Sequence, residues 1–313
     1  MTSRRMLVTG GAGFIGSHVV EAALEAGWEV AALDDLSSGQ RENLPEGVHL
    51  FEVDVRDVPA VEAAFQDFRP SVVSHQAAQA SVSVSVREPV FDAEVNVIGG
   101  LNVLLAARAQ GVERVVFAST GGAIYGEVPS GAASEETPPR PYSPYATSKL
   151  SFEHYLETFR QQYGLEFVIL RYGNVYGPRQ NPHGEAGVVA IFADRMLAGQ
   201  PVQINAMREP GDGGCVRDYV YVSDVARANL AAARGETPRL LNIGTGVGTS
   251  TRELAEQLAA ALNVQADLRP APPRPGDLER SVLDPSRFQE VLGEPLGLEE
   301  GLRRTALWAR EHR

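Results

Sequence analysis

The stretch Thr9-Gly-Gly-Ala-Gly-Phe-Ile-Gly16 connects a short apolar segment, residues 6–9, to a helical pattern over residues 14–26. Its glycines at positions 10, 13 and 16 follow a Gly-x-x-Gly-x-x-Gly spacing. That spacing suits a tight turn, a backbone that approaches a pyrophosphate closely, and a helix packed near the preceding strand. The start of the helix adds free N–H groups and the positive end of its dipole. Between a strand and a helix, the motif predicts a dinucleotide-binding turn.

The first half of the chain continues this alternation of strand and helix. Short β-branched runs predict strands at residues 6–9, 30–33, 48–53, 71–74, 114–118 and 167–170. Longer helical patterns fall between them, at residues 14–26, 61–68, 90–109 and 145–163. Such alternation forms a parallel sheet with its ligand crevice at the carboxyl ends of the strands. The predicted fold class is therefore α/β, with a Rossmann-type doubly wound parallel sheet.

The alternation breaks after about Tyr172, where Gly, Pro, Asn and Arg dominate. Later patterns predict helices near residues 188–197, 223–233 and 251–262 and a strand at 240–243. The Pro-rich segment 269–276 is compatible with a linker and equally with an ordered loop. We predict a nucleotide-binding domain over residues 1–172, with a return segment near 223–245. A smaller, loop-rich α/β substrate domain would cover residues 173–313.

Composition excludes several classes of partner and location. The net charge is −12 over 313 residues and no basic run occurs, which argues against nucleic acid as a partner. Cys215 is the only cysteine, so an internal disulfide is impossible and a reducing compartment, the cytoplasm, is expected. No apolar run approaches 18 residues, so no membrane span is expected. The six histidines lack metal-ligand spacing, so no metal site is expected.

A single lysine stands among the 28 basic residues, four positions after Tyr145. Tyr145 and Lys149 therefore share one face of the predicted helix 145–163. A nearby ammonium favours phenolate and lowers the tyrosine pKa, so Tyr145 can act as a general base near neutral pH. Ser119 and Thr120 follow the fifth predicted strand, at the edge of the crevice. A hydroxyl there could share the substrate proton with Tyr145.

Two carboxylates close predicted strands of the first domain. Asp34 ends the second strand, 18 residues beyond Gly16. A carboxylate there accepts hydrogen bonds from the ribose hydroxyls of NAD and would repel the additional phosphate of NADP. NAD is therefore the predicted cofactor. Asp54 closes the third strand, and it either bonds the adenine amino group or is an ordinary turn residue.

Four motifs of the chain resemble those of the extended short-chain dehydrogenase/reductase family. They are the glycine-rich turn, the Tyr145/Lys149 pair, Gln76-Ala-Ala78 and Arg171-Tyr-Gly-Asn-Val-Tyr-Gly-Pro178. The similarity covers essentially the whole chain and is greatest to the UDP-glucose 4-epimerases of that family. It implies a tightly held NAD and a UDP-sugar whose 4-hydroxyl is oxidised to a ketone. The sugar ring then rotates and the hydride returns to the other face, which makes the expected enzyme an isomerase.

The resemblance also implies roles for individual residues. The pyrophosphate would contact Gly10, Gly13, Phe14, Ile15 and Gly16, the adenosine ribose Asp34, Ser37, Ser38 and Gly39, and the adenine Asp54 and Val55. The rest of the cofactor would contact Ala77, Ala78, Gln79, Asn96, Tyr145, Lys149, Tyr172 and Gly173. The substrate would contact Thr120, Tyr145, Asn174, Val188, Val189, Arg217, Tyr219, Arg274, Asp277 and Ser281. Guanidinium forks suit phosphate, so Arg217 and Arg274 would clamp the diphosphate.

Gly121 and Gly122 separate the expected reaction from those of related enzymes. Dehydratases of the family follow the catalytic threonine with Asp-Glu, whereas these glycines have no side chain to protonate a leaving hydroxyl. Simple oxidation and reduction at one carbon is therefore favoured. The segment is one residue longer than in many epimerases, so both Ser119 and Thr120 stay open as the catalytic hydroxyl, with Thr120 preferred. The small Ser281 leaves room for an N-acetyl group, so UDP-N-acetylglucosamine is a further expected substrate.

Other functions fit the same fold. A UDP-glucuronate or UDP-pentose 4-epimerase shares the chemistry, and a decarboxylase or dehydratase is less favoured. A non-catalytic NAD-binding regulator usually lacks the tyrosine or the lysine, and both are present here. The resemblance further implies a homodimer, through a four-helix interface built from helices 90–109 and 145–163.

Overall fold

The structure is a computed structural model that describes residues 4–182, 187–274 and 276–312. The described chain folds as two compact units. Unit 1 comprises the described residues of Met1–Thr120, Ser143–Arg171 and Val225–Leu241, and unit 2 those of Gly121–Tyr142, Tyr172–Asp224 and Asn242–Arg313. Residues 121–142 therefore lie with the later part of the chain, although the sequence grouped them with the first 172 residues. Neither their composition nor their periodicity indicates which unit they pack against.

A seven-stranded sheet dominates unit 1. Its strands are β1 (Arg5–Thr9), β2 (Glu29–Asp34), β3 (His49–Glu52), β4 (Val72–His75), β5 (Arg114–Thr120), β6 (Glu166–Tyr172) and β10 (Leu240–Ile243). They stand in the order β10-β6-β5-β4-β1-β2-β3. The pairs β1–β2, β1–β4, β2–β3 and β4–β5 are parallel. The order reverses between β1 and β4, which is the switch point where doubly wound sheets hold their ligands.

The helices of unit 1 begin and end at residues with clear local causes. They are α1 (Phe14–Glu25), α2 (Val58–Phe68), α3 (Val82–Arg87), α4 (Pro89–Ala93), a π-helical segment (Glu94–Gly99), α5 (Gly100–Ala109) and α7 (Pro144–Tyr163). Ser143 caps α7, since its side chain accepts from the Ala146 N–H, and Pro144 occupies the first turn. Gly164 ends the helix with a φ of 71°, which only glycine adopts without strain.

A hydrophobic core lies on one face of the sheet of unit 1. Alternate residues of the strands face this core, together with residues of α2, α5 and α7. Its larger fully buried members are Leu7, Leu33, Phe65, Leu104, Phe117, Phe152 and Leu156. The ring centroids of Phe117 on β5 and Phe152 on α7 lie 4.6 Å apart, so the catalytic helix packs directly on the fifth strand.

The continuous helical run Pro89–Ala109 is more apolar than the sequence analysis expected. Over 18 residues its mean hydropathy is 1.5, which suffices by length and composition for a membrane span. Of that window, 44% is buried inside the protein. Asp92 and Glu94 interrupt it, so it contains no uninterrupted apolar run of 18 residues, although its average hydropathy is high.

Unit 2 combines small sheets with helices. Its strands are β7 (Asn174–Tyr176), β8 (Val202–Asn205), β9 (Val216–Tyr221), β11 (Gly248–Ser250), β12 (Leu268–Ala271) and β13 (Arg280–Ser281), and its helices include α6 (Gly121–Ile124), α8 (Val188–Leu197), α10 (Thr251–Ala261), α11 (Ser286–Leu292) and α12 (Leu298–Glu311). Helix α9 (Val222–Arg234) runs from unit 2 into unit 1. The start of the Pro-rich segment pairs with β8 as strand β12. Of the two alternatives, the segment is thus ordered at its start.

Candidate active site

At the switch point, the backbone of the glycine-rich turn lies directly against the backbone of the loop after β4. A Cβ atom on Gly10 would lie 2.6 Å from the Ala77 nitrogen, and one on Gly16 would lie 2.0 Å from the Gly10 carbonyl oxygen. Gly10 also has a φ of +66°, in the left-handed region. A Cβ on Gly13, by contrast, would meet only the Gly10 oxygen, at 3.2 Å. The turn is therefore tight where β1 meets the loop after β4 and open at Gly13, as a pyrophosphate site requires.

Helix α1 begins directly after this turn, at Phe14, followed by Ile15. Gly13 is its N-cap, without a side-chain cap and without an acidic residue in the first turn. Its first N–H groups and dipole are thus available to an anion. The backbone groups of the glycine-rich turn and of the first turn of α1 therefore fit the pyrophosphate of a dinucleotide.

Asp34 ends β2 beside the same turn and is 6% exposed. Its Oδ2 accepts from the Ala12 N–H at 3.0 Å and its Oδ1 from the Leu36 N–H at 2.9 Å. Burial raises the pKa of this carboxyl, and the backbone hydrogen bonds oppose that rise. Carboxylate oxygens offer about four acceptor positions, so Asp34 can still accept ribose hydroxyls as the sequence predicts.

The other residues predicted around the adenosine form two loops. Gly39 is buried against Asp34, since a Cβ there would lie 2.8 Å from the Asp34 Oδ1, whereas Ser37 and Ser38 are exposed. Asp54 and Val55 follow β3.

Both carboxylate oxygens of Asp54 accept hydrogen bonds from Arg56. This pairing lowers the Asp54 pKa. Asp54 is therefore a residue of the turn after β3 that pairs with Arg56, and its hydrogen bond to the adenine amino group stays a prediction.

Lys149 is buried on α7, 3% exposed. Its Nζ donates to the Ala118 carbonyl oxygen at 3.0 Å and lies 4.9 Å from the centroid of the Phe117 ring. Burial lowers the pKa of Lys149 to about 8, and the charges of Asp92 and Glu153 act in the opposite direction. Lys149, the single lysine of the sequence, thus lies on α7 with its ammonium against strand β5.

Tyr145 lies one turn earlier on α7, and Lys149 Nζ is 5.9 Å from the centroid of its ring. Burial raises the pKa of Tyr145 to about 12, while a hydrogen bond with the Thr120 side chain lowers it in part. Burial therefore opposes the expected acidification of this phenol by the lysine ammonium. Loss of solvation outweighs every favourable interaction of the phenolate.

Ser119 and Thr120 have different partners, because successive residues of a strand point to opposite faces. Thr120 hydrogen-bonds Tyr145. The Ser119 hydroxyl instead donates to Glu153 Oε1 at 2.5 Å. Glu153 is also paired with Arg171, which donates to it at 3.0 and 2.5 Å. The structure thus brings Thr120, rather than Ser119, to the phenol.

Two buried acids of this region were missed by the sequence analysis. Glu153 follows Lys149 by four residues, so the helical period that linked Tyr145 to Lys149 could have revealed it. Asp92 is fully buried on α4. Its Oδ1 accepts from the side-chain amides of Gln79 and Asn96, at 2.8 and 2.9 Å. Asn96 follows Asp92 by four residues, so the helical period could have indicated that contact, whereas no local pattern indicated Gln79.

The loop after β4 carries the remaining predicted cofactor residues of unit 1. Ala77 N–H donates to Thr9 Oγ1 at 3.3 Å, which holds this loop to β1. Ala78 follows, and Gln79 is bound through its backbone to Asn96: Gln79 N–H donates to Asn96 Oδ1 at 3.0 Å, and Asn96 Nδ2 donates to Gln79 O at 2.9 Å.

The predicted residues of unit 2 fall into two groups and one separate pair. The first group joins β6 to β7: Tyr172 ends β6, Gly173 follows, and Asn174 begins β7. Tyr172 is 5% exposed, and a Cβ on Gly122 would lie 3.3 Å from Asn174 Oδ1. Val188 and the buried Val189 begin α8.

The second group surrounds β9. Arg217 and Ser281 are partners in the parallel pairing of β9 and β13. Tyr219 is buried on β9, and burial raises its pKa. Arg274 and Asp277 are exposed, and the charges of Asp277 and Arg217 both act on the Cys215 thiol. Both acidic and basic members of the predicted substrate site therefore lie near Cys215.

A Rossmann-type sheet with a glycine-rich turn and a Tyr/Lys pair on the helix beside its fifth strand defines a nicotinamide-dependent protein of the short-chain dehydrogenase/reductase type. The sequence profile of the "NAD dependent epimerase/dehydratase family" matches residues 6–244. The chain belongs to this family. The predictions of the family, the fold class and the NAD cofactor are confirmed.

Similar proteins cover nearly the whole chain. A UDP-glucose 4-epimerase of Mycolicibacterium smegmatis is 47% identical over 311 residues, which are 96% of this chain and 97% of the relative. The crystal structure of the Thermus thermophilus UDP-glucose 4-epimerase in complex with NAD is 60% identical, with a TM-score of 0.95 and coverage of 99% and 100%. The Thermotoga maritima UDP-glucose 4-epimerase with UDP-glucose is 49% identical, with a TM-score of 0.92 and coverage of 98% and 99%.

Proposed function

We propose that the protein is an isomerase that epimerises a UDP-hexose at C4 with NAD, as the sequence predicted. The observation that carries this conclusion is the arrangement of Thr120, Tyr145 and Lys149 in unit 1, beside the glycine-rich turn. The relatives and solved structures with the same reaction in their names confirm the predicted enzyme class and reaction.

Tyr145 and Thr120 would have different roles in proton transfer. Tyr145 would accept the proton of the sugar 4-hydroxyl and later return it, as a general base and acid. Thr120 would hydrogen-bond the same oxygen and keep the phenol oriented, since the two side chains already bond each other. Bound NAD would supply the acceptor and donor of the hydride. Because the free phenol has a pKa of about 12, positive charge near it would be needed for the base to act near neutral pH.

Binding of the cofactor is assigned to backbone and acidic groups. Gly10, Gly13 and the first turn of α1 would hold the pyrophosphate, and Asp34 the adenosine ribose. Lys149 would bond the nicotinamide ribose. Its ammonium already has one acceptor, Ala118 O, and has two further N–H donors.

The substrate is a UDP-sugar, and its contacts are assigned to unit 2. Arg217 and Arg274 would bind the diphosphate, Asp277 the nucleotide ribose and Asn174 the diphosphate or sugar. The Arg217 Nη1 donates to its neighbour Val216 O at 3.0 Å, which leaves other N–H groups of the guanidinium for phosphate.

Incubation with UDP-galactose, without added NAD, tests the reaction. The expected result is UDP-glucose, resolved by chromatography. Tyr145→Phe should lose nearly all turnover while it retains the fold. The same assay with UDP-glucuronate and UDP-pentoses separates the alternative epimerases. Full activity of Tyr145→Phe would refute the assigned base, and no UDP-glucose from the wild-type protein would refute the reaction.

Acceptance of N-acetylated sugars is assigned to the small side chain of Ser281. Ser281 is 3% exposed and pairs in register with Arg217, so a larger side chain there must take space from its surroundings. Ser281→Tyr should reduce turnover of UDP-N-acetylglucosamine much more than turnover of UDP-glucose, and Ser281→Ala should leave the ratio of the two unchanged. Equal losses on both sugars in Ser281→Tyr would refute this assignment.

We also propose a homodimer through the helices of Pro89–Ala109 and α7. Several large apolar side chains on these helices are exposed, namely Val90 (70%), Ile98 (52%), Leu105 (49%), Tyr155 (40%) and Tyr163 (49%). Such a surface favours association. Leu105→Arg should give monomers in light scattering, whereas Leu307→Arg, at an equally exposed leucine on α12, should leave dimers. A wild-type protein that is monomeric at micromolar concentration would refute the dimer.

The proposed location is the cytoplasm. The chain has a single cysteine, Cys215, and therefore needs no oxidising compartment to fold. Fractionation of the source cells, with detection by antibody, tests the location. Recovery with the membrane or secreted fraction would contradict it.

A further inference from the structure

Asp92 connects three parts of unit 1 that carry the proposed chemistry. Its Oδ1 accepts from Gln79 Nε2 at 2.8 Å and from Asn96 Nδ2 at 2.9 Å, and its Oδ2 accepts from the Ser148 hydroxyl at 2.6 Å. Ser148 directly precedes Lys149 on the catalytic helix. Gln79 belongs to the loop after β4 that would line the cofactor. One carboxylate thus ties the cofactor loop, helix α4 and helix α7 together.

The chemistry of these contacts favours an ionised Asp92. All three side chains donate to it, and an ionised carboxylate is purely an acceptor. The residue is completely buried, where a charge is costly unless it is hydrogen-bonded and lies near an opposite charge. Lys149 supplies that charge. In turn, the Asp92 charge raises the pKa of Lys149, against the effect of burial.

We infer that Asp92 is a positioning residue whose hydrogen bonds hold helix α7, and with it Lys149, against the cofactor loop, and whose carboxylate is the counter-charge of the Lys149 ammonium. It acts through Lys149 and Ser148 rather than by touching the sugar. The inference deepens the proposed function and rests on it only for the kinetic readout described below.

The other charged and titratable groups around Lys149 do not replace Asp92 in this role. Glu153 also raises the pKa of Lys149, by less than Asp92 does, and its carboxylate is paired with Arg171. His75 is buried and its pKa is lowered to about 3, in part by Lys149, so it carries no charge at neutral pH. Tyr145 has a pKa of about 12 and is neutral in the same range.

The composition of the chain permits a direct measurement of this charge. Lys149 is the only lysine, so protein labelled with ¹³C at the lysine ε-carbon gives one lysine signal in NMR. Its chemical shift follows protonation of the ammonium. The wild-type midpoint is expected near pH 8, and Asp92→Asn should lower it by roughly 1 pH unit or more, as loss of a close opposite charge does.

Asp92→Asn is suited to this test because it can retain the hydrogen bonds. Its Oδ1 can accept from Gln79 and Asn96, and its Nδ2 can donate to the Ser148 hydroxyl, which both donates and accepts. Ser148→Ala is the matched variant that removes a hydrogen bond but retains the charge, and it should leave the midpoint of Lys149 near the wild-type value. Asp67→Asn removes an exposed carboxylate of the same unit and should also leave it unchanged.

Activity gives a second readout with a pH dependence. The alkaline limb of the kcat profile should follow Lys149 and move to lower pH in Asp92→Asn. Above pH 8, kcat of this variant should fall about tenfold for each pH unit by which the limb moves. The KM for the UDP-sugar should stay near the wild-type value, since Asp92 does not touch the sugar. A purely structural role would lower activity at all pH values without moving the limb.

The outcomes separate this inference from the proposed function. A Lys149 midpoint in folded Asp92→Asn equal to the wild-type one would overturn the inference even if the enzyme is an epimerase. If Asp92→Asn does not fold, Asp92→Ser decides, since it also removes the charge and can still accept a hydrogen bond: a lowered midpoint supports the inference, and an unchanged midpoint overturns it. Absence of UDP-galactose turnover in the wild type would instead refute the proposed function, with the NMR titration unaffected.

Discussion

Replacement of Lys149 by methionine should stabilise the protein while it abolishes activity. Lys149 is 3% exposed and makes one hydrogen bond, from Nζ to Ala118 O. Methionine has nearly the same length and an apolar, flexible side chain that fills such a space. The proposed reaction needs the Lys149 ammonium, whereas folding removes this charge from water, which lowers the stability of the folded state. The two demands therefore oppose each other at this residue.

The size of the effect follows from the pKa of Lys149. Burial lowers that pKa from 10.5 to about 8, even with the attraction of Asp92 and Glu153 included. A difference of about 2.5 corresponds to roughly 3 kcal/mol at about 1.36 kcal/mol for each pKa unit. Loss of the hydrogen bond to Ala118 O offsets about 1–2 kcal/mol of this. We therefore expect Lys149→Met to raise the free energy of unfolding at pH 7 by about 1–2 kcal/mol.

The sign of the pH dependence can be worked out from the same two values. Below pH 8 the lysine is protonated in both the folded and the unfolded chain, so the buried charge lowers the free energy of unfolding by its full amount. Between pH 8 and 10.5 the unfolded chain binds more protons, so the wild-type protein gains stability as the pH rises. The advantage of Lys149→Met should thus be greatest at pH 7 and shrink towards pH 10. Tyrosines with raised pKa values affect both proteins equally.

Urea unfolding at pH 7 and pH 9.5, followed by tryptophan fluorescence and circular dichroism without added cofactor, measures this difference. Equal slopes against urea show that the change lies in stability rather than in the surface exposed. Lys149→Arg is the control, because arginine stays charged throughout this range and should confer no stabilisation at either pH. It should also lose most activity, since a guanidinium fork cannot replace a point charge. A Lys149→Met protein less stable than wild type at pH 7, or an advantage independent of pH, would refute the reasoning.

Three further predictions follow from single contacts. Gly16→Ala places a Cβ 2.0 Å from the Gly10 carbonyl oxygen, so it should weaken NAD binding at least about tenfold and destabilise the turn by about 1–3 kcal/mol, as calorimetry and unfolding would show. Thr120→Val should lower kcat by about 100-fold or more, whereas Ser119→Ala should stay within about tenfold; the reverse order in a turnover assay would contradict the assignment. Glu153→Gln removes one charge of the buried Glu153–Arg171 pair and should cost about 3–5 kcal/mol of unfolding free energy, and a loss below about 1 kcal/mol would contradict the importance of this pair.

The strands of the parallel sheet could be predicted from sequence because buried strands use continuous β-branched runs. All six predicted strands of the first half occur, within a few residues of the expected bounds. Strands β8 (Val202–Asn205), β9 (Val216–Tyr221) and β12 (Leu268–Ala271) were not predicted. Polar residues interrupt β8 (VQIN) and β9 (VRDYVY), and β12 contains a proline, Pro270, so their formation depends on the neighbouring strand rather than on local propensity.

The glycine-rich turn, the acidic end of β2 and the Tyr145/Lys149 pair are local patterns, and the sequence alone determined them. Each depends on backbone geometry or helical period within a few residues. Residues far apart in the chain that pack together could not be identified in this way. Asp92 and Ser148, 56 residues apart, meet only because α4 packs on α7.

The electrostatics of the site were likewise decided by the tertiary structure. The sequence indicated correctly that a lysine stands one helical turn from a tyrosine, and from this we expected an acidified phenol. The folded chain buries both groups, so that the pKa of Tyr145 rises to about 12 and that of Lys149 falls to about 8. Spacing along a helix determines which side chains are neighbours, whereas desolvation depends on everything packed around them. Only the complete fold therefore determines which proton each group holds.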